Sequence, residues 1–129
     1  MFNIVLFSID RSREAREATE IVSNLVRTYS SRLVLLSVVE EADSTMSSTS
    51  EVAKLLQGAK ALFSQQGINA ETIEREGIPS FVICDVADEI NADLIIMGSR
   101  GLGLTSNNTK ESVAHRAIEL APCPVLIVP

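Results

Sequence analysis

Short apolar runs alternate with amphipathic helical segments along this chain, and that alternation most restricts what it can fold into. Phe2 to Ile9 (FNIVLFSI) and Leu33 to Val39 (LVLLSVV) are nearly unbroken apolar runs. Such runs are expected of strands covered on both faces in a parallel sheet. Between them, RSREAREATEIVSNLVRTYS places Ala15, Ala18, Ile21, Val22, Leu25, Val26 and Tyr29 on one helical stripe, with Ser12 as N-cap and Arg13, Glu14 and Glu17 on the wet side. Glu40 to Ser50 (EEADSTMSSTS) holds only Ala42 and Met46 as apolar residues and reads as a surface loop. Helical spacing returns over Glu51 to Gln66 through Val52, Leu55, Leu56, Ala59, Leu62 and Phe63, with Gly67 as a stop.

The second half repeats the alternation. Ile68 to Glu74 alternates in polarity and fits a shorter strand near a sheet edge. Gly77 and Pro79 punctuate it, Pro79 suiting the first turn of a helix that carries Phe81, Val82, Cys84, Val86, Ala87 and Ile90. Asp93 introduces the strand LIIM, a helix is expected from about Thr109 to Ala121, and PVLIV is the last strand. The order β-α-β-α-β-α-β-α-β, without repeats or a linker, implies one α/β domain over residues 1–129. It is an open five-stranded parallel sheet of Rossmann-like layout, with right-handed crossovers and helices on both faces. Ligands of such sheets bind at the carboxyl ends of strands, where the strand order reverses. Asp10, Val38 to Glu40 and Gly98 all fall at carboxyl ends.

Charge and cysteine usage remove several alternatives. A net charge of −6 argues against a general nucleic-acid or anionic-membrane surface. The N-terminal run has no basic flank and is too short to span a bilayer, so neither a signal peptide nor a membrane segment is expected. Cys84 and Cys123 lack metal-ligand spacing and read as reduced thiols of a cytoplasmic protein. His115, the single histidine, has no nucleophile at meaningful spacing and reads as an exposed or capping helix residue. A phosphoacceptor receiver domain has a similar length, but Asp10 has no adjacent acid and the sequence stops at Pro129 directly after the fifth strand. A flavin carrier would want more ring-stacking partners than one tyrosine and no tryptophan.

The stretch Leu94 to Val113 (LIIMGSRGLGLTSNNTKESV) is the one candidate for binding chemistry. An apolar strand breaks at Gly98, passes through a glycine-bearing polar loop and re-enters a helix near Ser112. Strand–loop–helix units aim backbone N–H groups and the positive helix end at whatever sits over the loop, which suits a phosphate.

The opening IVLFSIDRS, the strand LVLLSVVE, the pair EGIPSFVICDVADEINADLIIMGSRG and the ending SVAHRAIELAPCPVLIV together resemble the universal stress protein family over essentially the whole chain. The resemblance implies strand order 3-2-1-4-5, a cytoplasmic role in stress adaptation, and a homodimer whose last strands pair across a dyad. Here those strands would meet through Val125, Leu126, Ile127 and Val128. It also implies two branches: members that bind ATP or a related adenine nucleotide, and members that do not.

The binding branch carries the pattern G-x2-G-x9-G-[S/T]. Gly98, Gly101 and Ser112 match it; Glu111 stands in place of the third glycine. Carried over by position, Asp10 would meet the adenine or ribose, and the Val38 backbone the adenine edge. Met97, Gly98, Arg100 and Gly101 would line the ribose and triphosphate path, with Ser112 and Val113 at the phosphates. Arg11 also departs from the small residue common after the aspartate.

Glu111 divides the functional reading. A carboxylate about 5 Å from a phosphate, at an effective dielectric near 20, opposes binding by roughly 3 kcal/mol, about a hundredfold. Mg²⁺, Lys110 or Arg100 could offset part of this, or Glu111 could itself occupy the anion site and pair with Arg100. Two readings therefore stay open. One is a stress-response regulator with weak or altered ATP binding; the other is a signalling module that binds ATP, ADP, AMP or a cyclic nucleotide despite Glu111. Either would act through a regulatory protein partner. No general base or P-loop lysine stands out, so enzymatic activity is at most a slow incidental ATPase.

Overall fold

The computed structural model describes residues 1–10, 13–40, 48–99 and 113–129, with the backbone alone for 13–16. Five strands, β1 (Ile4–Ser8), β2 (Arg32–Val39), β3 (Ala70–Glu76), β4 (Leu94–Gly98) and β5 (Val125–Val128), alternate with four helices, α1 (Arg13–Tyr29), α2 (Thr49–Gln65), α3 (Pro79–Glu89) and α4 (Val113–Leu120). The sheet is wholly parallel among these strands and ordered β3-β2-β1-β4-β5, as the sequence and the resemblance imply. The expected Ser12 cap, Ala15 side chain, most of the Glu40–Ser50 loop and the helix start at Thr109 lie outside the described residues.

Alternation along each strand divides the core in two. Val5, Phe7, Leu33, Leu35, Leu94 and Ile96 pack under α1 and α2 with Ala18, Val22, Val52, Leu56 and Phe63. Leu6, Val34, Leu36, Val38, Ile95 and Met97 pack under α3 and α4 with Ile83, Val86, Ala114 and Ala117. Phe7 meets Phe63 edge-on at 6.3 Å between ring centres, the arrangement that aligns a ring's positive edge with its neighbour's negative face.

Helix ends explain where the strands begin. After α2, Gly67 takes φ 79°, Gly67 N–H donates to Ser64 C=O at 2.9 Å and Ile68 N–H to Phe63 C=O at 2.9 Å. This left-handed stop uses the orphan carbonyls of the last turn. It holds Ile68 in the turn, so β3 starts at Ala70 and runs to Glu76 instead of covering Ile68 to Glu74. Asn91 at φ 57° ends α3 in the same way, with Ala92 N–H on Ala87 C=O. At the amino ends of the strands, Asp93 accepts the Ile4 N–H at 2.8 Å and returns its own N–H to Ile4 C=O at 2.7 Å. That exchange fixes the β1–β4 register.

The helical stripes are narrower than expected. Ile21, Tyr29, Leu62 and Phe81 are 43%, 41%, 49% and 43% exposed. A helix laid on a sheet buries only the residues facing it, and those on its shoulders stay partly wet. β1 is also shorter than Phe2 to Ile9: Phe2 packs edge-on against Tyr29, and the pairing with β2 ends at Ser8.

Both sides of the edge strand β3 carry charge. Glu71 receives Arg32 Nη2 at 2.8 Å, and Glu89 on α3 receives Arg75 through bonds of 3.1 and 2.8 Å. The guanidinium hydrogen bonds hold both carboxyls below their ordinary range. Such exposed pairs add little stability; on a sheet edge they oppose unwanted strand pairing.

Two side chains in this frame make opposite predictions. Gly58 sits inside α2 with nothing within 4 Å of an added Cβ, so Gly58→Ala should raise stability by about 1 kcal/mol. Ser37 is fully buried and its hydroxyl donates to Ile9 C=O at 3.0 Å, so Ser37→Ala should lower stability by about 1–2 kcal/mol. Urea denaturation of each variant measures both shifts.

Candidate functional site

The site follows from where β1 stops. Its pairing with β2 ends at Ser8↔Leu36 and its pairing with β4 at Phe7↔Ile96, while β2 continues to Val39 and β4 to Gly98. A gap therefore opens above β1 between its two longer neighbours. It lies at the carboxyl ends of the strands, where the order changes direction, the general location of ligands in open α/β sheets.

The ladder shows which backbone groups face that gap. Leu36 C=O accepts from Ile9 N–H at 2.9 Å, whereas Val39 C=O accepts from Gly77 N–H on the β3 side at 3.0 Å. Successive residues turn to opposite neighbours, so Val38, two beyond Leu36, directs its N–H and C=O to the β1 side, past the end of that strand. On β4, Ile95 N–H bonds Pro124 C=O and Ser99 N–H bonds Val128 C=O, both on the β5 side at 3.0 Å. Gly98, out of phase with them, turns its N–H and C=O toward β1. The Val38 backbone and the Gly98 C=O thus face one crevice from opposite walls.

Asp10 completes the described part of the crevice. Half-buried, it directly follows Ile9, where β1 leaves the sheet. Ser37 sets this departure point: its hydroxyl occupies Ile9 C=O. Sequence reading did not single out Ser37, although one hydroxyl within LVLLSVV is a visible irregularity in an otherwise apolar strand.

The other residues expected at the site divide into two groups. Met97 is 5% exposed, with its side chain in the core under α3 and α4; it forms a wall beneath Gly98 and offers no polar group to the crevice. Val113 opens α4 and packs against the same core. Arg100, Gly101, Glu111 and Ser112 lie outside the described residues.

An apolar cleft that sequence reading missed adjoins Asp10 on the α1–α2 face. It has a volume of about 290 Å³ and is lined by Phe7, Ile9, Asp10, Thr19, Leu55 and Gly58, among others, with Lys54 at its side. The interior glycine in α2 was the available signal, since it leaves a side chain's space unfilled beside the cleft.

Burial is the first cause raising both the Cys84 and Cys123 thiols above their ordinary range, which keeps them protonated and poorly nucleophilic at neutral pH. Cys84 is buried, while Cys123 is half-buried. Among the described residues no group of three or more His, Cys, Asp or Glu could hold a metal ion, and no helix is long and apolar enough to cross a membrane.

Comparison with known proteins agrees with this architecture. Over 137 aligned positions the chain is 59% identical to universal stress protein Sll1654 of Synechocystis sp., covering 100% of this chain and 87% of that protein. A universal stress protein crystallised in complex with cAMP shares the fold with a TM-score of 0.80 at 20% identity, covering 99% of this chain and 97% of the other. A universal stress protein of Archaeoglobus fulgidus in complex with dAMP gives 0.73 at 22% identity, covering 100% and 98%. Residues 1–129 match the profile of the universal stress protein family, and with the close relative from Synechocystis this establishes that the chain belongs to that family.

Proposed function

We propose that this chain is a non-enzymatic stress-response regulator whose crevice above β1 receives an adenine nucleotide with weakened affinity. The observation that carries the reading is the pair of backbone units, Val38 and Gly98, turned toward the gap from opposite sides. An adenine edge presents one donor beside one acceptor, matching the N–H and C=O of a single strand residue such as Val38. In this reading Asp10, at the exit of β1, would accept from a ribose hydroxyl. The cAMP and dAMP complexes of two proteins with this fold support adenine nucleotides as the ligand class.

By the pattern of the family's binding branch, Arg100, Gly101 and Ser112 would meet the ribose and phosphates, with Glu111 in the position of the third glycine. Glu111 sets the expected preference: its carboxylate opposes a triphosphate more than a monophosphate, because repulsion grows with the charge brought near it. Bound Mg²⁺ would supply positive charge that reduces that penalty. The protein in this reading works in the cytoplasm as a homodimer, and nucleotide occupancy alters its engagement of a protein partner.

The edge of β5 supports the dimer. Pro124 and Val128 bond β4, so the intervening alternation turns Val125 and Ile127 backbone groups to the open side of the sheet. A second copy of β5 could pair with them, burying a strand edge that would otherwise template unwanted association.

Three measurements test this reading. Glu111→Gly should tighten ATP binding by about tenfold to a hundredfold in titration calorimetry, and no gain would remove the electrostatic argument. Asp10→Ala should weaken AMP and ATP by similar factors, whereas loss confined to ATP would place Asp10 at the phosphates. Ile127→Pro removes an outward N–H without breaking the ladder to β4. Sedimentation velocity should then shift from dimer toward monomer; an unchanged dimer would locate the interface elsewhere.

A further inference from the structure

A second surface lies between α3 and α4. Phe81, Cys84, Asp85 and Asp88 share one stripe of α3 and, with Leu120 and Pro122 from the end of α4, line a groove of about 350 Å³. Its apolar side chains are unusually open: Phe81 is 43% and Leu120 46% exposed. Leu120 and Pro122 lead into β5, so this part of the groove lies toward the amino ends of the strands, away from the crevice above β1.

The groove joins apolar and negative character. Asp85 and Asp88 are exposed, and neither forms an ion pair among the described residues. The described cations near this face, Arg75 and Arg116, are already engaged. Arg75 is held by Glu89 and feels Asp85 only as a lesser, unbonded charge. Arg116 lies over the Phe81 ring at 5.9 Å and 4.0 Å from Glu119. An apolar slot beside carboxylates with no bonded cation among the described residues complements an apolar side chain flanked by lysine or arginine. An acidic segment would meet repulsion, and an uncharged one would leave both aspartates unused.

We propose that the α3–α4 groove docks a basic amphipathic peptide segment of a partner protein. One leucine-sized side chain enters beside Phe81 and Leu120, and neighbouring lysine or arginine residues face Asp85 and Asp88. This site is separate from the crevice and does not require a bound nucleotide.

Fluorescence anisotropy with a labelled leucine–lysine amphipathic peptide tests the proposal on the full chain, with a leucine–glutamate peptide as comparison. The leucine–lysine peptide should bind and the leucine–glutamate peptide should not. Phe81→Ala should weaken binding by about tenfold, the scale expected for removing an anchoring aromatic. Asp85→Asn with Asp88→Asn should weaken it similarly and remove most of its salt dependence. Glu74→Gln with Glu76→Gln, on the β3 edge outside the groove, should leave affinity unchanged.

The proposal is overturned if the β3-edge pair weakens binding as much as the groove pair, since net negative charge alone would then explain it. Equal binding of both peptides, absence of binding, or indifference to Phe81→Ala in a variant with an unchanged melting curve would also overturn it. So would a shift in sedimentation caused by Phe81→Ala, which would assign this face to a second copy of the chain.

Discussion

The early exit of β1 is the constraint on which the described site depends. As the central strand it is buried on both faces, and its neighbours could have paired along their full lengths had it continued. Ser37 prevents a simple continuation by donating its buried hydroxyl to Ile9 C=O, the group that the next ladder bond from β2 would use. The chain then leaves at Asp10, and β2 and β4 face each other across a gap. Two strand ends that would have been ordinary ladder become a pair of polar walls. The loss of a few ladder bonds is offset by the apolar burial below, where Val5, Leu6 and Phe7 are almost completely excluded from solvent.

The two sheet edges solve the same problem differently. β3 carries Glu71 and Arg75, engaged by charged partners on β2 and α3, and another strand would have to displace or desolvate them. β5 is short and apolar, VLIV, with no such charge along it. An edge protected by ion pairs is suited to solvent, whereas an uncharged edge is suited to being covered. That asymmetry is the physical reason for proposing a dimer through β5.

The two proposed sites lie at different ends of the strand axis. Helices run back from the carboxyl ends of the strands to their amino ends, so α3 and α4 begin near the crevice and finish near the other end of the sheet. A ligand above β1 and a segment in the lower α3–α4 groove would contact opposite ends of one rigid layer. Coupling between them would require a second arrangement of that layer, since binding changes an equilibrium only through different interactions with two states. The helices pack on a common core containing Met97, Ala114 and Ala117, which supplies a contiguous connection.

Strand and helix identities were legible because hydrophobic period is a local property. LVLLSVV reads as a doubly covered strand, and the α2 and α3 spacings locate the helices and part of their buried faces, Val52, Leu56 and Phe63 on α2 and Cys84, Val86 and Ala87 on α3, while Leu62 and Phe81 stay exposed. Gly67 announced the stop of α2, but the hydrogen bond from Ile68 back to Phe63 delayed β3 by two residues, a detail of backbone geometry that composition does not encode. Asp10, Val38 and Gly98 could be assigned to carboxyl ends from the sequence alone. The direction of the Val38 and Gly98 backbone groups could not, because it depends on which neighbour each residue bonds across the sheet. The sequence by itself determined the alternating elements, their two-sided core and the glycine-bearing segment interrupted by Glu111. Tertiary structure decided that β1 ends before its neighbours, that Ser37 holds it there and that Phe81 remains open to solvent, because those outcomes arise from hydrogen bonds and packing between residues distant in the chain.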